Sequence, residues 1–432
     1  MQESRNRMNS QTIEFANGMR LHLDPMPGAL SCAINLCVLS GLRFEPVAQA
    51  GVSHMLEHML FKGTHTRSAR DIAELADDRG AAMNAYTCKE YTCLYVRSLP
   101  EHLHDMLALL ADMIENCRLD EADLALEKGV VIEEIAMYED LPEDYAFDIA
   151  HDMVWPTHML GKNILGTRET VQNMTTANLR TYMNARYNPA QMVLSIAGKF
   201  DETAVHAWAG ELFGSMQTRG EGSEVITVAK FKPGVLFTPK NVEQNQIILA
   251  FPGCAGRDSE RYAAALISTM LGGSTSSRLF QRLREELGLV YSVDFFNAHH
   301  MAEGMSGISL GLSEKTQIKA LDEVLRILRE FPATVTPQEL KRAQEQAAAG
   351  LVMSQESAAA RASRVAGSEL LYRDNVPVEQ SIAAYRAVTL DQVQAYATKL
   401  LDPAKFALCL LGKCSKKAEK TMTDMITSAV QM

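Results

Sequence analysis

Three side chains within five residues, His54, Glu57 and His58, form the pattern H-x-x-E-H, which can support metal chemistry. On a helix, positions 54 and 58 lie one turn apart and project from the same face. Two imidazoles in this arrangement can bind one tetrahedral zinc ion, with Glu57 beside them on an adjoining face. A catalytic zinc also needs a third protein ligand and one open position. The alternative is an amphipathic helix whose histidines and glutamate are merely solvated.

The run EKGVVIEE at residues 127–134 offers the third ligand. Glu127 and Glu134 are separated by about two helical turns and therefore face the same way. We predict that Glu134 completes the zinc site and that Glu127 accepts a hydrogen bond from a histidine and orients it. Glu133 is the competing ligand, and it is one residue out of phase with Glu127. The alternative for the whole run is an ordinary charged face of an acidic helix.

The spacing of apolar residues predicts the elements that would position these side chains. In the first half it predicts a hairpin around Asn17-Gly18, strands at 32–39 and 91–96, and helices at 53–61, 68–79 and across 100–140. In the second half it predicts a strand at 246–251, a helix at 260–271, a strand near 290–295 and helices from 314. This mixture predicts the α+β fold class, with mixed sheets and helices in each half.

Two segments of the chain match each other without a gap. Residues 188–200 read NPAQMVLSIAGKF and residues 402–414, shifted by 214, read DPAKFALCLLGKC. Each segment is typical of a turn, a buried strand and a closing glycine, and each lies at the end of one half of the chain. We therefore predict two similar domains that arose by internal duplication. The zinc-bearing domain would cover 1–213, a linker 214–225, and the second domain 226–432.

Composition excludes several classes of protein. The 432-residue chain has a formal net charge of −11, whereas proteins that bind duplex nucleic acid usually carry a basic surface. No run of 18 uncharged apolar residues occurs, so no membrane span is expected. The eight cysteines form no C-x-x-C pair, and residues 1–11 lack the apolar stretch of a secretory signal. We expect reduced thiols in a cytoplasmic protein.

Taken together, these motifs resemble the pitrilysin/insulinase family (M16) of zinc peptidases, which includes the mitochondrial processing peptidase. The resemblance spans most of the chain, and the H-x-x-E-H order is the inverzincin signature. Its length resembles the short members of the family, which act as dimers. The segments that carry the resemblance are GVSHMLEHMLFKGT, NAYTCKEYTCLYV, EKGVVIEEIAMYEDLPED and SRLFQRLREELGLVYSV.

The resemblance implies a role for each matching residue. It implies that His54, His58 and Glu134 hold one zinc ion per chain, that Glu57 is the general base and that Glu127 supports the site from outside. Asn84 and Ala85 match an edge strand that pairs with the substrate backbone. Arg284 and Tyr291 match a pair that binds substrate and stabilises the transition state. Without the resemblance, Arg284 would be a surface residue of a charged helix and Tyr291 a strand residue.

The expected function is therefore that of a zinc endopeptidase acting on short or unfolded peptides inside a closed chamber. Zinc lowers the pKa of a bound water, and Glu57 would accept its proton and pass it to the leaving amine. The resemblance also implies a clamshell dimer of two such chains, either a homodimer or a heterodimer with a second chain of the family. The alternative function is a non-catalytic subunit of the same fold, whose zinc motif would be expected to be broken.

Overall fold

The computed structural model describes residues 11–219 and 226–429, so residues 220–225 of the predicted linker lie outside the described residues. The strands are β1 (Gln11–Glu14), β2 (Arg20–Pro25), β3 (Cys32–Val38), β4 (Ala82–Thr87), β5 (Thr92–Ser98), β6 (Met192–Gly198), β7 (Gly234–Pro239), β8 (Asn245–Gly253), β9 (Ser292–His299), β10 (Gly304–Leu312) and β11 (Ala407–Gly412). The α-helices are α1 (Val52–Leu60), α2 (Ala69–Asp78), α3 (Leu103–Glu115), α4 (Glu121–Glu139), α5 (Pro142–Val154), α6 (Arg168–Asn173), α7 (Thr176–Arg186), α8 (Glu202–Leu212), α9 (Arg261–Leu271), α10 (Gln317–Thr334), α11 (Pro337–Ser354), α12 (Ala358–Tyr372), α13 (Val378–Ala387), α14 (Leu390–Leu400) and α15 (Lys416–Ala429). A π-helix covers Phe280–Glu286.

Two mixed sheets form the centres of two compact units. The six-stranded sheet has the order β1-β2-β6-β3-β5-β4, and the five-stranded sheet has the order β7-β11-β8-β10-β9. Within each sheet one neighbouring pair is parallel, β2 with β6 and β7 with β11, and the other pairs are antiparallel. Helices pack on both sheets, so the predicted α+β fold class is confirmed.

The shift of 214 residues that relates the two sequence segments also holds in the structure. Helix α7 at residues 176–186 corresponds to α14 at residues 390–400. Each begins with a capping box, in which Thr175 or Thr389 accepts a hydrogen bond from the backbone three residues later. The rung that joins Pro25 to Gly198 has its counterpart in the rung that joins Pro239 to Gly412. The two sheets therefore share a topology as well as a sequence pattern.

Each unit includes one helical segment from the other half of the chain: residues 136–162, with α5, belong to the second unit, and residues 353–375, with α12, belong to the first. Among the described residues, the first unit comprises 11–135, 163–219 and 353–375, and the second comprises 136–162, 226–352 and 376–429. The small residues Ala362 and Ala366 of α12 pack against the first sheet, and Ala146 and Ala150 of α5 pack against the second. Small residues one turn apart let a helix approach a sheet closely. The continuous domain ranges predicted from the sequence stay a prediction.

Two buried ion pairs attach α12 to strand β2. Arg361 binds both carboxylate oxygens of Asp24 at 2.5 and 2.6 Å, and Arg20 Nη1 lies 3.2 Å from Glu369 Oε1. All four side chains are at most 11% exposed, so each charge depends on its partner.

No helix among the described residues is long and apolar enough to cross a bilayer.

The Asp24 pair predicts a difference between two Arg→Met variants. Arg361→Met leaves the Asp24 carboxylate buried without its partner, and we expect a loss of about 3–5 kcal/mol of stability. The control is Arg326→Met, which removes exposed pairs with Glu323 and Glu330 and should cost at most about 1 kcal/mol. Thermal unfolding of both variants measures the difference. Equal unfolding temperatures for the two variants would contradict a structural role for the buried pair.

Candidate metal centre

Helix α1 begins at a sharply defined turn that fixes its direction. Gly51 precedes it with φ of +92°, and a Cβ at this position would meet the carbonyl oxygen of Leu165 at 2.5 Å, so only glycine fits. The buried Glu45 carboxylate accepts hydrogen bonds from the backbone N–H groups of Gly51 (2.7 Å) and Ser53 (3.0 Å). Burial raises the pKa of Glu45 to about 7, against the effect of these donors. These contacts therefore fix the start of α1 just before His54, Glu57 and His58.

The imidazoles of α1 converge with one carboxylate of α4. His54 Nε2 lies 3.6 Å and His58 Nε2 lies 3.7 Å from the same oxygen, Glu134 Oε2. Ligand atoms of a tetrahedral zinc ion with bonds of about 2.0–2.2 Å lie roughly 3.3–3.6 Å apart. These two separations lie close to this spacing and exceed the length of a normal hydrogen bond. Glu133 is exposed, and Glu134 is the residue that the structure brings to the histidines.

A hydrogen bond to Glu127, two turns before Glu134 on α4, sets the tautomer of His58. Its Nδ1 lies 2.9 Å from Glu127 Oε2, so Nδ1–H donates and the lone pair of Nε2 is left towards Glu134. Lys62 Nζ lies 2.5 Å from the other oxygen, Glu127 Oε1. Burial alone would raise the pKa of Glu127, but the hydrogen bonds from Lys62 and His58 lower it overall. Glu127 therefore stays an anion that can hold the imidazole in place.

The donor set fits a zinc ion. Burial, together with the nearby His58, lowers the pKa of His54 to about 3, so this imidazole is neutral at physiological pH. Its Nδ1 is buried and has no hydrogen-bond partner among the described residues, which leaves Nε2 as its useful atom. Two neutral imidazole nitrogens and one carboxylate oxygen are donors that zinc accepts. No other group of three such side chains was found in the described part of the chain.

Glu57 lies on α1 between the two histidines in sequence, and it is separate from the ligand group. Thr87 Oγ1 donates a hydrogen bond to Glu57 Oε2 over 2.5 Å. Burial raises the pKa of Glu57, and the hydrogen bond from Thr87 works in the opposite direction. A carboxylate whose pKa is raised by burial is a better proton acceptor than an ordinary exposed one.

Strand β4 lies at the edge of the first sheet, as predicted for the segment that contains Asn84 and Ala85. Asn84 is exposed and Ala85 is half-buried. The side-chain Oδ1 of Asn84 accepts a hydrogen bond from the backbone N–H of Ala85 (2.8 Å). An edge strand of this kind can accept an added extended peptide through main-chain hydrogen bonds.

Arg284 and Tyr291 belong to the second unit, whereas the candidate metal ligands all belong to the first. Arg284 lies in the π-helix, and its guanidinium lies 4.9 Å from the ring centre of Phe280 and 6.0 Å from that of Tyr291. Tyr291 is 67% exposed, so its ring is available to another molecule. The predicted pair is thus adjacent, and its role towards substrate stays a prediction.

The second unit lacks the carboxylates of the metal centre. Helix α11 is the counterpart of α4 at the shift of 214 residues, and it carries Lys341 and Ala348 where α4 carries Glu127 and Glu134. An ammonium group and a methyl group cannot replace a ligand or a hydrogen-bond acceptor. Among the described residues, the group of two histidines and one carboxylate therefore occurs in the first unit alone.

Comparison with known proteins identifies the family. The model of insulinase (peptidase family M16) matches residues 23–168, and that of the peptidase M16 inactive domain matches residues 173–347. A Bacillus subtilis protein named uncharacterized zinc protease YmxG is 37% identical over 92% of this chain and 96% of its own length. The chain belongs to peptidase family M16.

Solved structures of similar length share this fold. A protease from Helicobacter pylori superimposes with a TM-score of 0.86 at 18% identity, covering 94% of this chain and 99% of that one. A chain of complex III2 from Candida albicans superimposes with a TM-score of 0.84 at 16% identity, covering 95% and 99%. The same fold is therefore found both in a protein described as a protease and in a chain of complex III2.

Sequence reasoning missed two residues that contact the site. Lys62 follows His58 by four positions, just after α1 ends. Residues four apart lie on the same side of a helix, so this spacing could have suggested that Lys62, like His58, approaches Glu127. Thr87 follows Ala85 by two positions on the predicted edge strand, so the two side chains share a face of the sheet. Neither signal distinguishes these residues from ordinary surface positions without the fold.

A matched pair of α4 variants tests the identity of the third ligand. Glu134→Gln removes the carboxylate that faces both imidazoles, whereas Glu133→Gln changes its exposed neighbour. We expect Glu134→Gln to weaken zinc binding by more than about 100-fold, because losing a ligand should exceed the 10–100-fold cost of losing a supporting residue. Glu133→Gln should bind zinc as the wild type does. Competition with a chelator measures both affinities, and the opposite order would contradict the assignment.

Proposed function

We propose that this M16 chain is a zinc-dependent endopeptidase that hydrolyses short or unfolded peptides. The observation that carries the proposal is the convergence of His54, His58 and Glu134, with Glu57 next to this group and outside it. Two histidines and one carboxylate are the protein ligands of several catalytic zinc sites, which keep a further position open. The names of the relatives, which include zinc proteases, support the same reading.

The chain's own residues would divide the chemistry between them. Zinc, when held by His54, His58 and Glu134, supplies a Lewis acid that brings the pKa of a water towards neutrality. Glu57 accepts the proton of the attacking water and later donates it to the leaving amine. Glu127 keeps the His58 ring in the tautomer that leaves Nε2 free, through the hydrogen bond to Nδ1.

Substrate would bind as an added strand. Asn84 and Ala85 lie on the exposed edge strand β4, and main-chain pairing there provides affinity with little side-chain discrimination. Arg284 and Tyr291 are the donors proposed to bind substrate and to stabilise the charge that develops on the scissile carbonyl. Selection would then depend on the length and flexibility of the peptide and on its fit in the chamber.

We further propose that two such chains close into a chamber, as a homodimer, because one chain carries both the zinc motif and the Arg284/Tyr291 pair. A heterodimer with a second M16 chain is the other possible assembly. All eight cysteines are free thiols in the structure, which agrees with the reducing cytoplasm as the proposed location. The complete donor set argues against the alternative, a non-catalytic subunit.

The substitution Glu57→Gln separates the peptidase from the non-catalytic subunit. It preserves the size of the side chain and removes the basic carboxylate, so we expect full zinc content and a loss of hydrolysis of about 10²–10⁴-fold or more. Cleavage of a quenched fluorescent peptide library, with zinc measured by metal analysis, checks both points. A wild type that binds zinc and cleaves no peptide, alone or with a second M16 chain, would contradict the proposed function.

A further inference from the structure

Thr87 connects the edge strand β4 to the proposed general base. It is the last residue of β4 and pairs with Thr92 in the final rung of the antiparallel pair β4–β5. Side chains alternate along a strand, so Thr87 shares a face with Ala85, whereas Tyr86 packs on the opposite face near Cys37 and Cys93. The face of Thr87 is the one towards α1, because its hydroxyl reaches Glu57.

The protons of two neighbouring hydroxyls settle the direction of this contact. Thr92 Oγ1 donates its single proton to the carbonyl oxygen of Ser40 over 2.7 Å. Thr87 Oγ1 lies 3.2 Å from Thr92 Oγ1 and 2.5 Å from Glu57 Oε2. Because the proton of Thr92 is already used, Thr87 must be the donor in whichever bond it makes. The short, charge-assisted bond to the carboxylate is the stronger of the two.

We propose that Thr87 is a positioning residue that holds Oε2 of Glu57 and leaves Oε1 as the atom that accepts the proton of the attacking water. This inference rests on the proposed function, in which Glu57 is the general base. A carboxylate without a partner rotates about its last bond and presents either oxygen. The Thr87 hydroxyl removes this freedom and sets the plane of the carboxylate.

The position of Thr87 in the chain gives this contact its functional consequence. Asn84 and Ala85, the residues proposed to pair with the substrate backbone, lie on the same strand, three and two positions before Thr87. A peptide paired with β4 and the Glu57 carboxylate bonded to Thr87 would therefore both be positioned by the same strand. Small errors in the position of a catalytic group cost large factors in rate, up to about 100-fold for a displacement of 1 Å.

Two substitutions at position 87 test the inference. Thr87→Val keeps the shape of the side chain and removes the hydroxyl, whereas Thr87→Ser keeps the hydroxyl and removes the methyl group. We expect Thr87→Val to lower kcat by about 10- to 100-fold. KM should stay within about twofold, because the lost interaction acts on the chemical step. Thr87→Ser should retain kcat within about threefold of the wild type, since its hydroxyl can still donate.

Readouts other than turnover separate positioning from damage to the fold or to the metal centre. Zinc affinity, measured by chelator competition, and the unfolding temperature should be the same in Thr87→Val and Thr87→Ser. A crystal structure of Thr87→Val should show the Glu57 carboxylate rotated away from its wild-type plane, and Thr87→Ser should keep that plane. These measurements do not depend on knowing the natural substrate.

Wild type and Glu57→Gln, assayed beside these variants, distinguish failure of the inference from failure of the proposed function. If the wild type cleaves peptide and Glu57→Gln does not, an unchanged kcat in Thr87→Val overturns the positioning role alone. Equal losses in Thr87→Val and Thr87→Ser, or a loss that follows zinc content, also overturn it. A zinc-loaded wild type that cleaves nothing, with Glu57 in the same plane in wild type and Thr87→Val, overturns both.

Discussion

The hydrogen bond between His58 and Glu127 is the interaction on which the metal centre depends, because it joins the two helices that supply every ligand. Helix α1 brings two imidazoles to the candidate metal centre, and α4 brings the Glu134 carboxylate that faces them and the Glu127 carboxylate that orients one ring. The separation of two turns between Glu127 and Glu134 makes both tasks possible on one face of α4. Lys62 holds the second oxygen of Glu127, so the orienting carboxylate is itself fixed. The rest of the first unit, from the cap at Glu45 to the sheet beneath, keeps α1 where this bond can form.

The residues that determine the fold are different from those that determine the chemistry. Both units keep the same strand order and the same capped helix before the last strand, as the patterns of apolar and turn residues require. The second unit nevertheless has Lys341 and Ala348 at the positions of the two glutamates. A sheet and helices of this topology can thus form without these carboxylates, because the core of the second unit consists mainly of apolar side chains. One unit carries the donor set, and the other carries Arg284 and Tyr291.

Local periodicity was sufficient to predict much of the site. The one-turn spacing of His54 and His58 and the phase of Glu134 relative to Glu127 both follow from helix geometry, and the hairpin follows from a turn signal. The repeat follows from the match of two segments, whereas the edge strand was implied by the resemblance to the M16 family. The exchange of α5 and α12 between the units could not be predicted, because a helix pattern gives no information about which sheet the helix covers. The approach of Thr87 to Glu57 joins residues thirty positions apart on different elements, and the π-helix around Arg284 reads in sequence as an ordinary charged helix.

X-ray absorption at the zinc edge of the purified wild-type chain tests the central claim most directly. The geometry predicts one zinc ion per chain with nitrogen and oxygen neighbours only, at about 2.0–2.2 Å. It also predicts the imidazole scattering pattern of two histidines, which Glu134→Gln should weaken through loss of metal. A sulfur neighbour at about 2.3 Å would assign the metal to the cysteines and contradict the account. A chain that binds no zinc at neutral pH would contradict it as well.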